Sequence, residues 1–393
     1  MTLVGDSGDD GPAAHALVIG VGQYDWFPDG PLHLARKHDR ISKSFTQLTS
    51  PPVSARALCE GLLEELRDLP GSVSLGSLEA VVSAEKELIL KGDDGADIPL
   101  GPATLSGVRK ALDAWYERCD SHPDNVALLF FCGHGVQVGR GPQMLLLQDT
   151  GEDVHDYFRN AVDLQSLVEG MERNQARTQC FFIDACRFAP EELFEKADVR
   201  AAKLLDPPRR PQFRDRIVLH STLAGAKAHG PRGGVTRFTD AVLRALLTPE
   251  SYSDGRSWVV TTETIGRFVR ELMNWPGLRA DFADTAPAQR CDFSSLSTSQ
   301  GGVLFSFDTA PPVPFHFKTA PGESLAHAHW ALRDRDNQSY ASRRPSPEAW
   351  TGHGPVGLAR LEVSFGDGRF LGRSDEIWMQ APCRSRIVEV QEL

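Results

Sequence analysis

At 393 residues and 43.1 kDa, the chain is about twice the commonest domain length, which excludes a peptide-sized or disulfide-only scaffold and predicts one large or two modest domains. Hydrophobic residues at 41% and charged residues at 24% are ordinary for a globular protein with a packed core. A formal charge of −11 and a pI near 5.6 argue against nucleic acid as the main partner, and seven scattered cysteines read as reduced thiols rather than a secreted disulfide framework.

Residues 1–13 are acidic and Gly-rich, without the basic and apolar regions of a secretory signal. They read as a flexible N-terminus of a cytoplasmic protein. No apolar run approaches the roughly 20 residues that cross a bilayer, so no membrane partner is expected. The run from His15 to Val21 is short, β-branched and bounded by glycine, as in a strand covered on both faces. Residues 53–69 carry Leu58, Leu62, Leu63 and Leu66 at helical spacing, and Leu105 to Trp115 repeats the pattern, with a short strand at Leu78 to Val82 between them. Val126 to Cys132 is a second buried strand, Gln143 to Gln148 a further strand, Leu164 to Met171 a helix, and Cys180 to Asp184 another buried strand. This alternation predicts an α/β three-layer sandwich on a mostly parallel sheet.

Residues 188–216 break the pattern with prolines and basic residues and read as an exposed connection. Regular structure resumes at Ile217 to Leu219, then a helix from Phe238 to Leu247, then a strand and helix from Trp258 to Met273. The Pro-rich stretch Ala310 to Pro314 sets a boundary near residue 308, and residues 309–393 read as a small all-β domain. A hairpin is expected there, with Leu358 to Phe365 turning through Gly366-Asp367-Gly368 into Arg369-Phe370-Leu371. His327 and His329 read as surface histidines.

Two buried strands end in polar residues that a core would not choose, at Cys132-Gly133-His134-Gly135 and at Asp184-Ala185-Cys186-Arg187. Sites in open α/β sheets form at such carboxyl ends. Glycines on both sides of His134 allow a tight turn and close approach of a substrate backbone. A cysteine nucleophile needs a partner that takes its proton, and a histidine on a neighbouring strand end can supply it. His134 lies 52 residues upstream of Cys186, the spacing of caspase-type proteases.

These blocks, with Ala16 to Val21, Phe130 to Gln137, Phe182 to Arg187, Ile217 to Ser221 and Gly234 to Leu247, make the chain resemble caspase-like cysteine peptidases of the metacaspase and prokaryotic-caspase group over about residues 14–307. The resemblance implies a large-subunit part at 14–187, a linker at 188–216 and a small-subunit part at 217–307. It implies His134 as general base and acid, Cys186 as nucleophile, and the N–H groups of Gly135 and Cys186 as oxyanion hole. It places Asp184 and Asp39 as carboxylates of a substrate pocket for Arg or Lys, and Ser221 and Ala224 as backbone that pairs with an extended substrate. Protein substrates are thus the expected partners, and Arg200, Lys203, Arg209 and Arg210 the processing sites at which the chain or an upstream activating protease would cut a zymogen. A role in a stress or antiviral defence cascade is a family-level implication. The chain departs from the caspase signature in carrying Phe188 where that signature has glycine.

No cofactor or metal is expected. Some metacaspases need calcium, but Asp149, Glu152, Asp153 and Asp156 form no recognisable ligand loop. Two other readings stand beside the peptidase: a catalytically silent scaffold that binds partners through its β domain, and a thiol or zinc site built from Cys132, His134, Cys180 and Cys186.

Overall fold

The computed structural model describes residues 3–6, 11–33, 41–67, 69, 73–92, 95–194, 200–210, 212–251, 258–279, 289–297 and 301–393. Seven strands make the central sheet: β1 (Leu3–Asp6), β2 (Ala14–Val21), β3 (Leu75–Ser83), β4 (Val126–Gly133), β5 (Thr178–Ala185), β6 (Asp215–His220) and β7 (Asp292–Leu296). Their order across the sheet is β1-β3-β2-β4-β5-β6-β7. The five inner strands run parallel, and β1 and β7 close the two edges antiparallel. Leu3–Asp6, read from sequence as part of a flexible terminus, is therefore an edge strand. Four residues suffice because β3 supplies the partner backbone.

Side chains alternate across the inner strands, so each strand feeds two cores. Ala16, Val18, Leu128, Phe130, Cys180 and Phe182 face one layer. It is built by α1 (Ser50–Glu65), α4 (Arg237–Leu246) and α5 (Thr262–Asn274). Leu17, Ile19, Leu129, Phe131, Phe181 and Ile183 face the other, covered by α2 (Leu105–Cys119) and α3 (Leu164–Gly170). This is the expected three-layer sandwich. Leu58 and Leu62 of α1 and Leu112 of α2 are fully buried, each contributing roughly 1.5–3 kcal/mol of burial free energy.

The described residues between 188 and 216 are tied down more than their composition implies. Glu191–Phe194 forms a short helix, Asp163 N–H donates to Ala202 O at 2.9 Å, and Ala202 N–H donates to Ala161 O at 2.7 Å. The residue-143 strand ends at Leu145 because it belongs to a hairpin with Gly135–Gln137.

Beyond Val303–Phe307, two sheets face each other. One holds Trp350–Gly354, Val313–Ala320 and Arg384–Glu389; the other holds Ser339–Arg343, Ala328–Arg333, Gly357–Phe365 and Arg373–Met379. Phe315, Phe317, Trp330, Trp350, Leu361 and Met379 fill the space between them. The return strand of the expected hairpin starts at Arg373, not Arg369. Phe370 turns inward against Phe365 with ring centroids 5.2 Å apart, and its backbone bridges Glu392. Burying this aromatic ring lengthens the turn. No helix among the described residues is long and apolar enough to cross a membrane.

Candidate active site

His134 follows β4 directly and Cys186 follows β5 directly, and these strands are parallel neighbours, with Asp184 beside Cys132 and Ala185 beside Gly133. Side-by-side pairing thus brings together two segments 52 residues apart in sequence. Neither glycine flanking His134 adopts a positive φ, so the reason for them is crowding rather than turn geometry. A Cβ on Gly133 would lie 2.9 Å from the Tyr24 hydroxyl, and one on Gly135 would lie 2.5 Å from the Cys186 carbonyl oxygen.

The loop after β2 holds the histidine ring. His134 Nε2 lies 2.7 Å from the carbonyl oxygen of Thr46, and His134 N–H donates to the Tyr24 hydroxyl at 2.7 Å. The rings of Tyr24, Phe27 and Phe45 surround the imidazole at centroid distances of 4.9, 6.1 and 5.3 Å. Gln47 braces the loop by accepting Tyr24 N–H at 2.8 Å and donating to the carbonyls of Tyr24 and Pro28. This desolvated setting disfavours the charged ring and pushes the His134 pKa down to about 4. His134 is therefore a neutral base at physiological pH, and its Nε2 carries the proton because a carbonyl can only accept.

Cys186 receives Ala228 N–H on its sulfur at 3.1 Å. Burial raises the thiol pKa above its ordinary value, while that N–H and Lys227 act in the opposite direction. The resting thiol is neutral, with a donor already in place for the thiolate. The neighbouring backbone is pinned to the segment that follows β6: Arg187 N–H donates to Ala226 O at 3.0 Å, and Gly225 N–H to Arg187 O at 2.9 Å. The Arg187 guanidinium donates to Gln137 and pairs with Asp292 of β7 at 2.7 Å. Phe188, where the caspase signature has glycine, lies under Lys227 at 4.7 Å.

His134, Cys186 and Asp184 line one cavity of about 430 Å³, whose walls are Thr46 to Pro51 on one side and Ala228 to Gly230 with Arg232 on the other. Asp184 is buried at 4% exposure. Its Oδ2 accepts from the Thr236 hydroxyl, from Thr239 Oγ1 at 3.4 Å and from Cys132 Sγ at 3.6 Å. Burial raises its pKa and the hydrogen bonds oppose that rise. The walls are joined above it, since Ser50 Oγ donates to Pro231 O and Gly233 N–H to Thr49 Oγ1 at 2.9 Å.

Other expected residues are placed differently. Asp39 lies outside the described residues. Ser221 is beyond the end of β6, and its backbone is already used: its N–H donates to Ile183 O at 2.9 Å and its carbonyl accepts from Gln289 Nε2 at 2.9 Å. Ala224 sits in an exposed turn, not on a strand. Both placements correct the expectation that these residues lie on the strand, because β6 ends at His220; Ala228 to Gly230 is the segment that reaches the cavity. Arg200, Lys203, Arg209 and Arg210 are exposed. Cys180 is buried in mid-strand, four residues before Asp184 and so about 13 Å along β5 from the site, which removes it from any shared metal site. In the acidic cluster, Asp149 accepts Leu105 N–H, Glu152 accepts from Asn160, and Asp153 pairs with Arg159. Among the described residues no group of three His, Cys, Asp or Glu side chains could hold a metal ion.

Sequence reading missed Tyr24, Thr46, Gln47, Gln143, Ala228, Thr236 and Gln289. Most act through backbone groups or neutral amides, which leave no motif.

A family model described as a caspase domain matches residues 13–290. The uncharacterised protein y4kE of Sinorhizobium fredii is 31% identical over 154 residues, 39% of this chain and 44% of that protein. A protein named "Probable protease" from a Desulfuromonadales bacterium is 28% identical over 181 residues, 43% of this chain and 21% of that protein. The chain therefore spans less than half the length of either relative. Among solved structures, caspase-1 from Spodoptera frugiperda aligns with a TM-score of 0.41 and 14% identity, covering 75% of this chain and 90% of that one.

Proposed function

The chain belongs to the caspase-domain family, and on that premise we propose that it is a cysteine endopeptidase that cleaves protein substrates after Lys or Arg. The observation that carries this reading is the single cavity lined by His134, Cys186 and Asp184. With its Nε2 proton committed to Thr46 O, His134 has the lone pair of Nδ1 left to accept the thiol proton. The sulfur, receiving Ala228 N–H, attacks the scissile carbonyl carbon. The N–H groups of Gly135 and Cys186 take the charge that develops on the oxygen. His134 then protonates the leaving amine, and a water deprotonated by His134 opens the thioester.

A P1 ammonium or guanidinium entering the cavity would meet the Asp184 carboxylate in a desolvated setting, where like charge is rejected as strongly as unlike charge is held. Asp39 is the candidate for a second carboxylate. Processing at Arg200, Lys203, Arg209 or Arg210 by the same specificity would make the intact chain a zymogen, and a defence or stress cascade is the setting that such activation fits.

The test is hydrolysis of matched fluorogenic peptides ending in Arg, Lys or Asp by the intact chain, by Cys186→Ala and by a preparation nicked between residues 200 and 210. Cleavage after Arg or Lys that Cys186→Ala abolishes is the expected result. Cleavage after Asp would overturn the role of Asp184, and silence in all three preparations would overturn the peptidase.

A further inference from the structure

Gln143 is 4% exposed, on the strand Gln143–Leu145 beneath the nucleophile. Its Nε2 donates to the carbonyl oxygen of Cys186 at 3.0 Å. Its Oε1 is buried and has no hydrogen-bond partner among the described residues. Leaving an amide oxygen unpaired inside a protein is costly, and turning the amide over would be worse, because two acceptors would then face each other. The side chain is thus held for its donor end alone.

That donor fixes one end of the Cys186–Arg187 peptide, and the Ala226 carbonyl fixes the other by accepting Arg187 N–H at 3.0 Å. A Cβ on Gly135 would lie 2.9 Å from Gln143 Nε2 and 2.5 Å from Cys186 O. The amide, the nucleophile's carbonyl and the glycine of the oxyanion hole therefore meet at one point. β5 holds Cys186 on its N-terminal side, and Gln143 and Ala226 together hold the peptide that follows it.

We propose that Gln143 is a positioning residue that, by holding the Cys186 carbonyl, sets the direction of the nucleophile's sulfur and N–H; this rests on the reading of Cys186 as the nucleophile. It touches no substrate. Its contribution belongs in kcat rather than KM, and it depends on a hydrogen the side chain donates.

The experiment compares the full chain with Gln143→Glu and Gln143→Leu from pH 4.5 to 8.5 on the best peptide of the P1 panel, with alkylation of Cys186 by iodoacetamide followed by peptide mass mapping. Near pH 8, Gln143→Glu is expected to lose about 10²-fold in kcat with KM within about threefold. It should approach the parent as the pH falls, because the protonated carboxyl donates where the carboxylate repels, while Gln143→Leu stays low throughout. A Gln143→Glu profile parallel to the parent's, or equal losses in both variants without acid recovery, would overturn the proposal. If the parent cleaves no peptide, the peptidase reading fails by itself and alkylation decides: Gln143→Leu should move the pH midpoint upward by about one unit, and an unmoved midpoint would overturn it.

Discussion

His134 Nε2 sits 2.7 Å from the carbonyl oxygen of Thr46, a residue 88 positions earlier in the chain. This contact orients the ring and fixes the tautomer, since the carbonyl has no proton to give. A backbone carbonyl can orient an imidazole as a triad carboxylate does, but it carries no full charge to stabilise an imidazolium.

Replacing Cys186 by Ala should lower kcat/KM by about 10⁴-fold or more, since the attacking atom is gone, while Cys383→Ser, at a thiol that does not line the cavity, should leave it unchanged. Progress curves on the same peptide give both results.

Asp184→Asn should keep the fold, because the amide oxygen still accepts from Thr236. It should cost about 2 kcal/mol or more on Arg and Lys peptides, some thirtyfold, and little on peptides with a neutral P1. Equal losses on all peptides would assign Asp184 to structure alone.

In Asp184→Asn, where the pocket carboxylate no longer titrates, the acid limb of kcat/KM on an Arg peptide should lie toward about 4, where burial pushes His134, and away from the 6.5 of an ordinary histidine. A limb that stays near 6.5 would show the ring to be solvated.

Gly135→Ala should be slow by about 10²–10³-fold beyond any loss of stability, because the new Cβ would lie 2.5 Å from the Cys186 carbonyl and displace the oxyanion cradle. Thermal unfolding measured with the kinetics separates this from simple destabilisation.

Limited digestion with trypsin should cut at Arg209 before Lys203. Both are exposed, but Lys203 follows Ala202, whose N–H and carbonyl are both bonded to residues 161–163. A protease must pull the backbone free before it can bind it. Mass mapping of the first fragments gives the order.

Local pattern made the layered fold legible in the sequence. Apolar runs such as Val126 to Cys132 and helical stripes such as Leu58 and Leu62 report burial on one or two faces, and burial is what a residue's own chemistry encodes. That Cys186 and His134 meet at one cavity was legible for the same reason: they are polar groups at the ends of apolar strands, at a spacing that parallel neighbours can bring together. Phe370 was misread because the pull of the core on one ring outweighs a good turn signal. Ser221 was misplaced because the strand stops one residue earlier, where its backbone bonds to Ile183 and Gln289.

What the sequence by itself determined was the alternation of strands and helices and the two polar strand ends at His134 and Cys186, with Asp184 beside them. Only the tertiary structure decided which atoms contact those groups: the Thr46 carbonyl on the imidazole, the Ala228 N–H on the sulfur, the Gln143 amide on the Cys186 carbonyl. Backbone N–H and C=O groups are the same in every residue, so their roles are set by where the chain returns in space and leave no trace in the side chains.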